Sequence, residues 1–152
     1  MVTKLFINIQ PDAALFGEKD YQQLLVIRRL VHDLCMPVTI IGMPIVREAD
    51  GLAMSSRNAY LTTEQRRQAA VLYQTLTAAA GAVQQGKRDL AAIEQEGMAR
   101  LEQAGFRPEY FSIRRGADLA EPRPGDHDLR ILVAAWLGEA RLIDNIAVVG
   151  PG

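Results

Sequence analysis

Two apolar segments flanking one amphipathic stretch constrain the front of this sequence more than any other feature. Ala13-Ala14-Leu15-Phe16 is a short apolar run stopped by Gly17, and Val38 to Val46 is a β-branched apolar stretch behind Pro37. Between them, Leu24, Leu25, Ile27, Leu30, Val31 and Leu34 form one broad stripe at helical period within Asp20 to Met36. Strand, helix and strand over about 35 residues predict a βαβ unit, because parallel neighbours need a crossover of a dozen or more residues. The first run reads as a buried strand. Ahead of it, Val2 to Ile9 have helix-compatible apolar spacing, which Pro11-Asp12 end.

From Leu61 the texture changes. Thr62-Thr63-Glu64-Gln65 is a helix-start signal, a hydroxyl followed three residues later by a glutamine. The Ala- and Gln-rich helix it opens is expected to run to about Gln85, and a second from Asp89 to about Gln103. Tyr110 to Arg114, Arg130 to Leu137 and Ala140 to Val149 read as strands, the last two joined through Gly138-Glu139 as a hairpin. Pro122, Pro124 and Gly125 mark an exposed loop before them. The expected organisation is α/β followed by α+β: one domain over residues 1–61 and a second over 62–152, with the boundary near Tyr60 to Thr63.

At 152 residues the chain is long enough to bury a core. Its 17 basic and 18 acidic residues leave a formal charge of −1, which removes a global electrostatic reason to expect nucleic acid or an acidic membrane surface. The single cysteine, Cys35, cannot form an intrachain disulfide or supply a Cys-rich zinc site. No apolar run approaches the roughly 20 residues that span a bilayer, and Met1-Val2-Thr3-Lys4-Leu5 does not read as a secretory signal. A cytoplasmic location is the default expectation.

Ligands of parallel sheets gather beyond the carboxyl ends of the strands, so the residues leaving each strand are the candidates. Gly17-Glu18-Lys19-Asp20 combines a glycine that lets backbone approach a ligand, a helix start and a lysine suited to phosphate. The same residues also read as a turn with a capping aspartate and a solvated lysine. Met54-Ser55-Ser56-Arg57-Asn58 offers two hydroxyls, backbone N–H groups and a guanidinium as an anion cradle, or else a serine that caps a helical turn. His32 and His127 read as surface or structural residues, since neither has a second histidine near enough for a zinc pair. Cys35 reads as packing, Trp136 and Leu137 as core, and Asp118, Glu121, Asp126 and Asp128 as loop solvation.

Phe16-Gly17-Glu18-Lys19-Asp20 with Gln22-Gln23, then Pro44-Ile45-Val46-Arg47-Glu48 and Asp50-Gly51-Leu52-Ala53-Met54-Ser55-Ser56-Arg57-Asn58, closely resemble the pantothenate synthetase (pantoate–β-alanine ligase) family. Ala134-Ala135-Trp136-Leu137-Gly138 and Arg141-Leu142-Ile143-Asp144-Asn145 resemble it as well, in the same order. The resemblance implies ATP-dependent joining of pantoate to β-alanine through a pantoyl-adenylate, in coenzyme A biosynthesis, on a nucleotidyltransferase fold with a HIGH signature and a KMSKS-like loop. It implies ATP contacts at Gly17, Glu18, Lys19, Asp20, Val46, Met54, Ser55, Ser56 and Arg57, with Lys19, Ser55, Ser56 and Arg57 in catalysis. Gln23 matches a pantoate position, Mg²⁺ is expected with the ATP, and no metal ligands are expected on the protein.

The family's full chain is nearly twice as long, and no His-x-Gly-His sequence occurs here. The expectation is therefore a carboxyl-terminal half: the end of a Rossmann-like nucleotide-binding domain, then a complete small helix-plus-antiparallel-sheet domain. Such a half is expected to be inactive alone, and a homodimer is expected only of the whole enzyme. The alternative is a stand-alone, non-catalytic module that binds nucleotide or a partner. Nucleic acid and membrane are not expected as partners.

Overall fold

The computed structural model describes residues 1–150. The chain divides into two compact units, Met1–Ile45 and Val46–Gly152. The last two residues of the expected second domain, Pro151 and Gly152, lie outside the described residues.

In the first unit, α1 (Val2–Ile9) leads into β1 (Ala13–Gly17), α2 (Tyr21–Asp33) and β2 (Thr39–Met43). The strands pair in parallel with Ala13 opposite Thr39 and Gly17 opposite Met43, so the expected βαβ unit is present. Asp20 caps α2 by accepting the Gln23 N–H at 3.2 Å, and Tyr21, Leu24 and Ile27 are its buried residues. Phe6 of α1 packs edge-on against Phe16, with ring centroids 6.3 Å apart. The strands are less buried than their composition suggests. Leu15 is 63% exposed, and Ile41 and Met43, which share its pleat parity, are exposed too. The expectation of a buried strand fails for a physical reason: this sheet has two strands, and one face of it has no cover among the described residues.

In the second unit, a 3₁₀ turn (Ser56–Tyr60) precedes α3 (Thr63–Gln84) and α4 (Leu90–Gln103). β3 (Arg107–Arg115), β4 (Asp128–Leu137) and β5 (Ala140–Val149) then form an antiparallel sheet in that order. The Thr62 capping box forms as expected: Thr62 Oγ1 accepts the Gln65 N–H, and Gln65 Oε1 accepts the Thr62 N–H. Ala69, Leu72, Leu76, Ala80 and Val83 recur every three or four residues and bury one face of α3. They pack in one core with Ile93 and Leu101 of α4 and Phe111, Ile113, Ile131, Val133 and Leu142 of the sheet. Leu137 pairs with Ala140 across the two-residue Gly138-Glu139 turn, where Gly138 has φ 59°.

The segment 46–61, read from sequence with the first domain, packs with the second unit. Leu52 and Ala53 are 2% and 3% exposed, and Leu52 belongs to the α3–sheet core. Trp136 is not a core residue; it is half-buried on the sheet, with its indole N–H donated to Glu109 Oε1 at 2.6 Å. Nor is Cys35 packed: it is exposed just beyond α2, in a left-handed backbone conformation with φ 49°.

Candidate nucleotide site

The first set of expected site residues gathers where β1 ends and α2 begins. A Cβ on Gly17 would meet nothing within 4 Å, so the strand end is open to close approach. The Glu18 N–H donates to Met43 O at 2.9 Å, which carries the strand pairing one residue past Gly17. The Glu18 carboxylate lies over Gly42 beside the Arg28 guanidinium, 2.9 and 3.2 Å from where a Gly42 Cβ would stand. Lys19 is half-buried, while Asp20 and Gln23 are exposed. Asp20 therefore performs the capping role that its position allowed, and the first turn of α2 presents the helix's positive end on the same side.

The second set lies in the second unit and is built around a closed loop. The Met54 N–H donates to Val46 O at 2.9 Å and the Glu48 N–H to Leu52 O at 2.8 Å, with Arg47 bridged antiparallel to Ala53. The turn between them passes through Gly51 at φ 92°, where a Cβ would strike the Tyr73 ring. Asp50 caps this turn by accepting the Leu52 N–H and pairs with Arg66, whose hydrogen bond holds its carboxyl below the usual range. Beyond the loop, Ser55 Oγ accepts the Arg57 N–H at 3.2 Å and caps the 3₁₀ turn, as the capping alternative expected. Val46 and Met54 are 64% and 48% exposed. Ser56 and Arg57 are exposed as well, and Arg57 Nη1 reaches Arg141 O at 3.4 Å.

Several residues around this loop carry its geometry although the sequence reading assigned them no role. Arg47 makes a two-pronged ion pair with Asp144, at 2.6 and 2.9 Å, and donates to Gly51 O at 3.0 Å and Asn145 O at 3.3 Å. Its guanidinium carbon stands 3.9 Å from the centroid of the Tyr73 ring. Asp144 lies on β5 in the alternation Leu142, Asp144, Ile146, Val148, a charge where the pleat faces the core. That misplaced charge was the available signal. Further along the sheet, Glu109 accepts from Arg141 at 2.8 and 3.0 Å and from Trp136; these bonds, Arg141's first, lower its pKa to about 2.

Among the described residues no three His, Cys, Asp or Glu side chains come together as a metal site, and no helix is long and apolar enough to cross a membrane. His32 is exposed and bonded to Asp33. A recess of about 310 Å³ between α3 and α4, lined by Thr75, Ala79, Lys87, Ile93 and Arg100 among others, contains none of the expected site residues.

The residues that the sequence singles out thus lie on two polar loops, one on the parallel βαβ unit and one against the three-stranded sheet. A family model described as pantoate-beta-alanine ligase matches residues 1–147, and the chain belongs to that family. It is 58% identical over 148 residues to the pantothenate synthetase of Methylococcus capsulatus, an alignment covering 97% of this chain and 52% of that protein. A crystal structure of pantothenate synthetase from Thermus thermophilus is similar with a TM-score of 0.90 at 46% identity, over 97% of this chain and 54% of that one. The pantoate-beta-alanine ligase of Francisella tularensis, solved with β-γ ATP and β-alanine, is similar with a TM-score of 0.71 at 29% identity, over 96% and 47%. The chain thus spans about half the length of the relatives it matches.

Proposed function

We propose that this chain is the carboxyl-terminal half of a pantoate–β-alanine ligase, which condenses pantoate with β-alanine at the expense of ATP. The observation that carries this reading is the Met54–Arg57 loop: two hydroxyls and an exposed guanidinium on a rigid turn, in a chain matched to the ligase family over residues 1–147. Residues 1–61 read as the end of a Rossmann-like domain of the HIGH/KMSKS nucleotidyltransferase type and 62–152 as the small α+β domain, with segment 46–61 carried on the second compact unit.

In the first step a pantoate carboxylate oxygen attacks the α-phosphorus of ATP in line, and the bond to the departing pyrophosphate breaks. In the second, the β-alanine amine attacks the acyl carbon, AMP departs and the amide forms with loss of a proton. Neither step needs a protein nucleophile; both need charge stabilisation on phosphate oxygens. Lys19, Ser55, Ser56 and Arg57 are suited to it, as a point cation, two hydroxyl donors and a planar guanidinium. Gly17, Glu18, Asp20, Val46 and Met54 complete the ATP contacts in the whole ligase, and Gln23 binds pantoate. Mg²⁺ would accompany the ATP substrate and supply further positive charge for its phosphates. The whole enzyme is cytoplasmic and a homodimer, with neither nucleic acid nor membrane as partner.

The test is a hybrid in which this chain replaces the matching part of the Methylococcus capsulatus relative. The hybrid should form pantothenate, AMP and pyrophosphate, while the chain alone should not. A folded hybrid without product would refute the reading and favour a non-catalytic binding module.

A further inference from the structure

We infer that the ion pair of half-buried Arg47 with buried Asp144, roofed by Tyr73, is the positioning device of the Met54–Arg57 loop; this rests on the ligase reading of that loop. One guanidinium ties three elements together. It holds the loop's own turn through Gly51 O, β5 through Asp144 and Asn145 O, and α3 through the Tyr73 ring. The Asp144 side chain is 0% exposed and also accepts the Asn145 N–H at 2.7 Å, so its rotamer is fixed from two sides. An ion pair with one partner buried often stabilises a fold no better than apolar packing of the same volume. What the planar fork adds is direction, because its bonds form in one orientation of the loop.

The other end of the loop meets the same strand. Arg57 reaches the carbonyl of Arg141, three residues before Asp144, which is about 10 Å along a strand. Between these attachments the chain has only the short path from Ala53 to Arg57, closed by the Met54–Val46 bond and the Ser55 cap. The hydroxyls of Ser55 and Ser56 are thereby set relative to β5 rather than left on a free loop. Arg47 and Asp144 act through those residues and touch no substrate themselves.

The test uses Asp144→Asn, which removes the buried charge at constant shape, and Tyr73→Leu, which removes the ring from the guanidinium and leaves the ion pair. Amide hydrogen exchange on this chain is read at Met54, Arg57 and Asn58, whose N–H groups bond to Val46 O, Ser55 Oγ and Ser55 O. Exchange at these three should speed up at least about tenfold in Asp144→Asn, and less in Tyr73→Leu, while core amides such as Ile131 and Val133 stay protected. In the hybrid ligase, the KM for ATP should rise about tenfold and that for pantoate stay within about threefold. A loss of folded protein would lower kcat and leave both KM values in place.

Unchanged exchange at the three amides in both variants, with the core folded, would overturn the inference. So would faster exchange without a rise in the KM for ATP. If Asp144→Asn does not fold, Tyr73→Leu decides. An unsubstituted hybrid that forms no pantothenate would instead sink the ligase reading, and the exchange result, which needs no activity, tells the two failures apart.

Discussion

The same substitution at two helical glycines should change stability in opposite directions. Gly81 lies within α3 and a Cβ built on it meets nothing within 4 Å. Gly97 lies within α4, and a Cβ there would stand 2.6 Å from Phe111 Cδ1 and Cε1, where ordinary contact begins at 3.4 Å. Alanine in place of glycine favours a helix by about 1 kcal/mol, chiefly by restricting the unfolded chain. Gly81→Ala should therefore stabilise by about 0.5–1 kcal/mol. At Gly97 the gain is set against overpacking, which costs about 1–3 kcal/mol when the neighbour cannot yield. Phe111 is 3% exposed in the core between α4 and the sheet, and its stiff ring must shift as a whole to make room. Net destabilisation of about 1 kcal/mol follows, or a Tm lower by about 4–8 °C for a unit of this size. Urea unfolding at constant m checks the magnitude. In the Gly97→Ala background, Phe111→Leu should cost less than it does alone, because the clash is relieved. If Gly97→Ala stabilises as much as Gly81→Ala, the close approach of α4 to β3 is wrong.

Other outcomes follow from the charged groups. The Glu109 carboxyl titrates at about 2 in the fold against an ordinary 4.5, so its contribution is complete above 4.5 and lost as pH falls toward about 2. Glu109→Gln should therefore flatten the loss of stability over that interval, and the emission of Trp136, the sole tryptophan, should lose its acid step. In the hybrid ligase, Lys19→Ala and Arg57→Ala should each depress pantothenate formation by at least about 100-fold while leaving Tm within a few degrees. An equal loss of stability would mean that these side chains serve the fold.

Local chemistry was legible in the sequence. The Thr62–Gln65 capping box, the Asp89 start of α4 and the Gly138-Glu139 turn involve groups a few residues apart, and each formed where the sequence placed it. The expected end of the first domain at residue 61 follows a change of composition, whereas the packing of segment 46–61 is set by Arg47 meeting Asp144, 97 residues away. No local pattern announces such a pair, although a charge at an inward position of β5 hints at one. Trp136 is half-buried where a core residue is expected, because period two does not say which face of a three-stranded sheet is covered. β1 forms where its apolar run lies, but its burial differs from the expectation, because such a run shows what a strand can bury and not whether the cover is present. The candidate loops were visible as motifs; the guanidinium that holds one of them was visible only in three dimensions.

One assay shows whether this chain is the half of a pantoate–β-alanine ligase that bears the Lys19 and Met54–Arg57 loops. ATP, pantoate and β-alanine are given to the hybrid and to this chain alone, and pantothenate, AMP and pyrophosphate are quantified. All three should form in equal amounts with the hybrid and none with the chain alone. A folded hybrid that yields no pantothenate, or one that releases ADP and phosphate in place of AMP and pyrophosphate, would contradict the ligase reading.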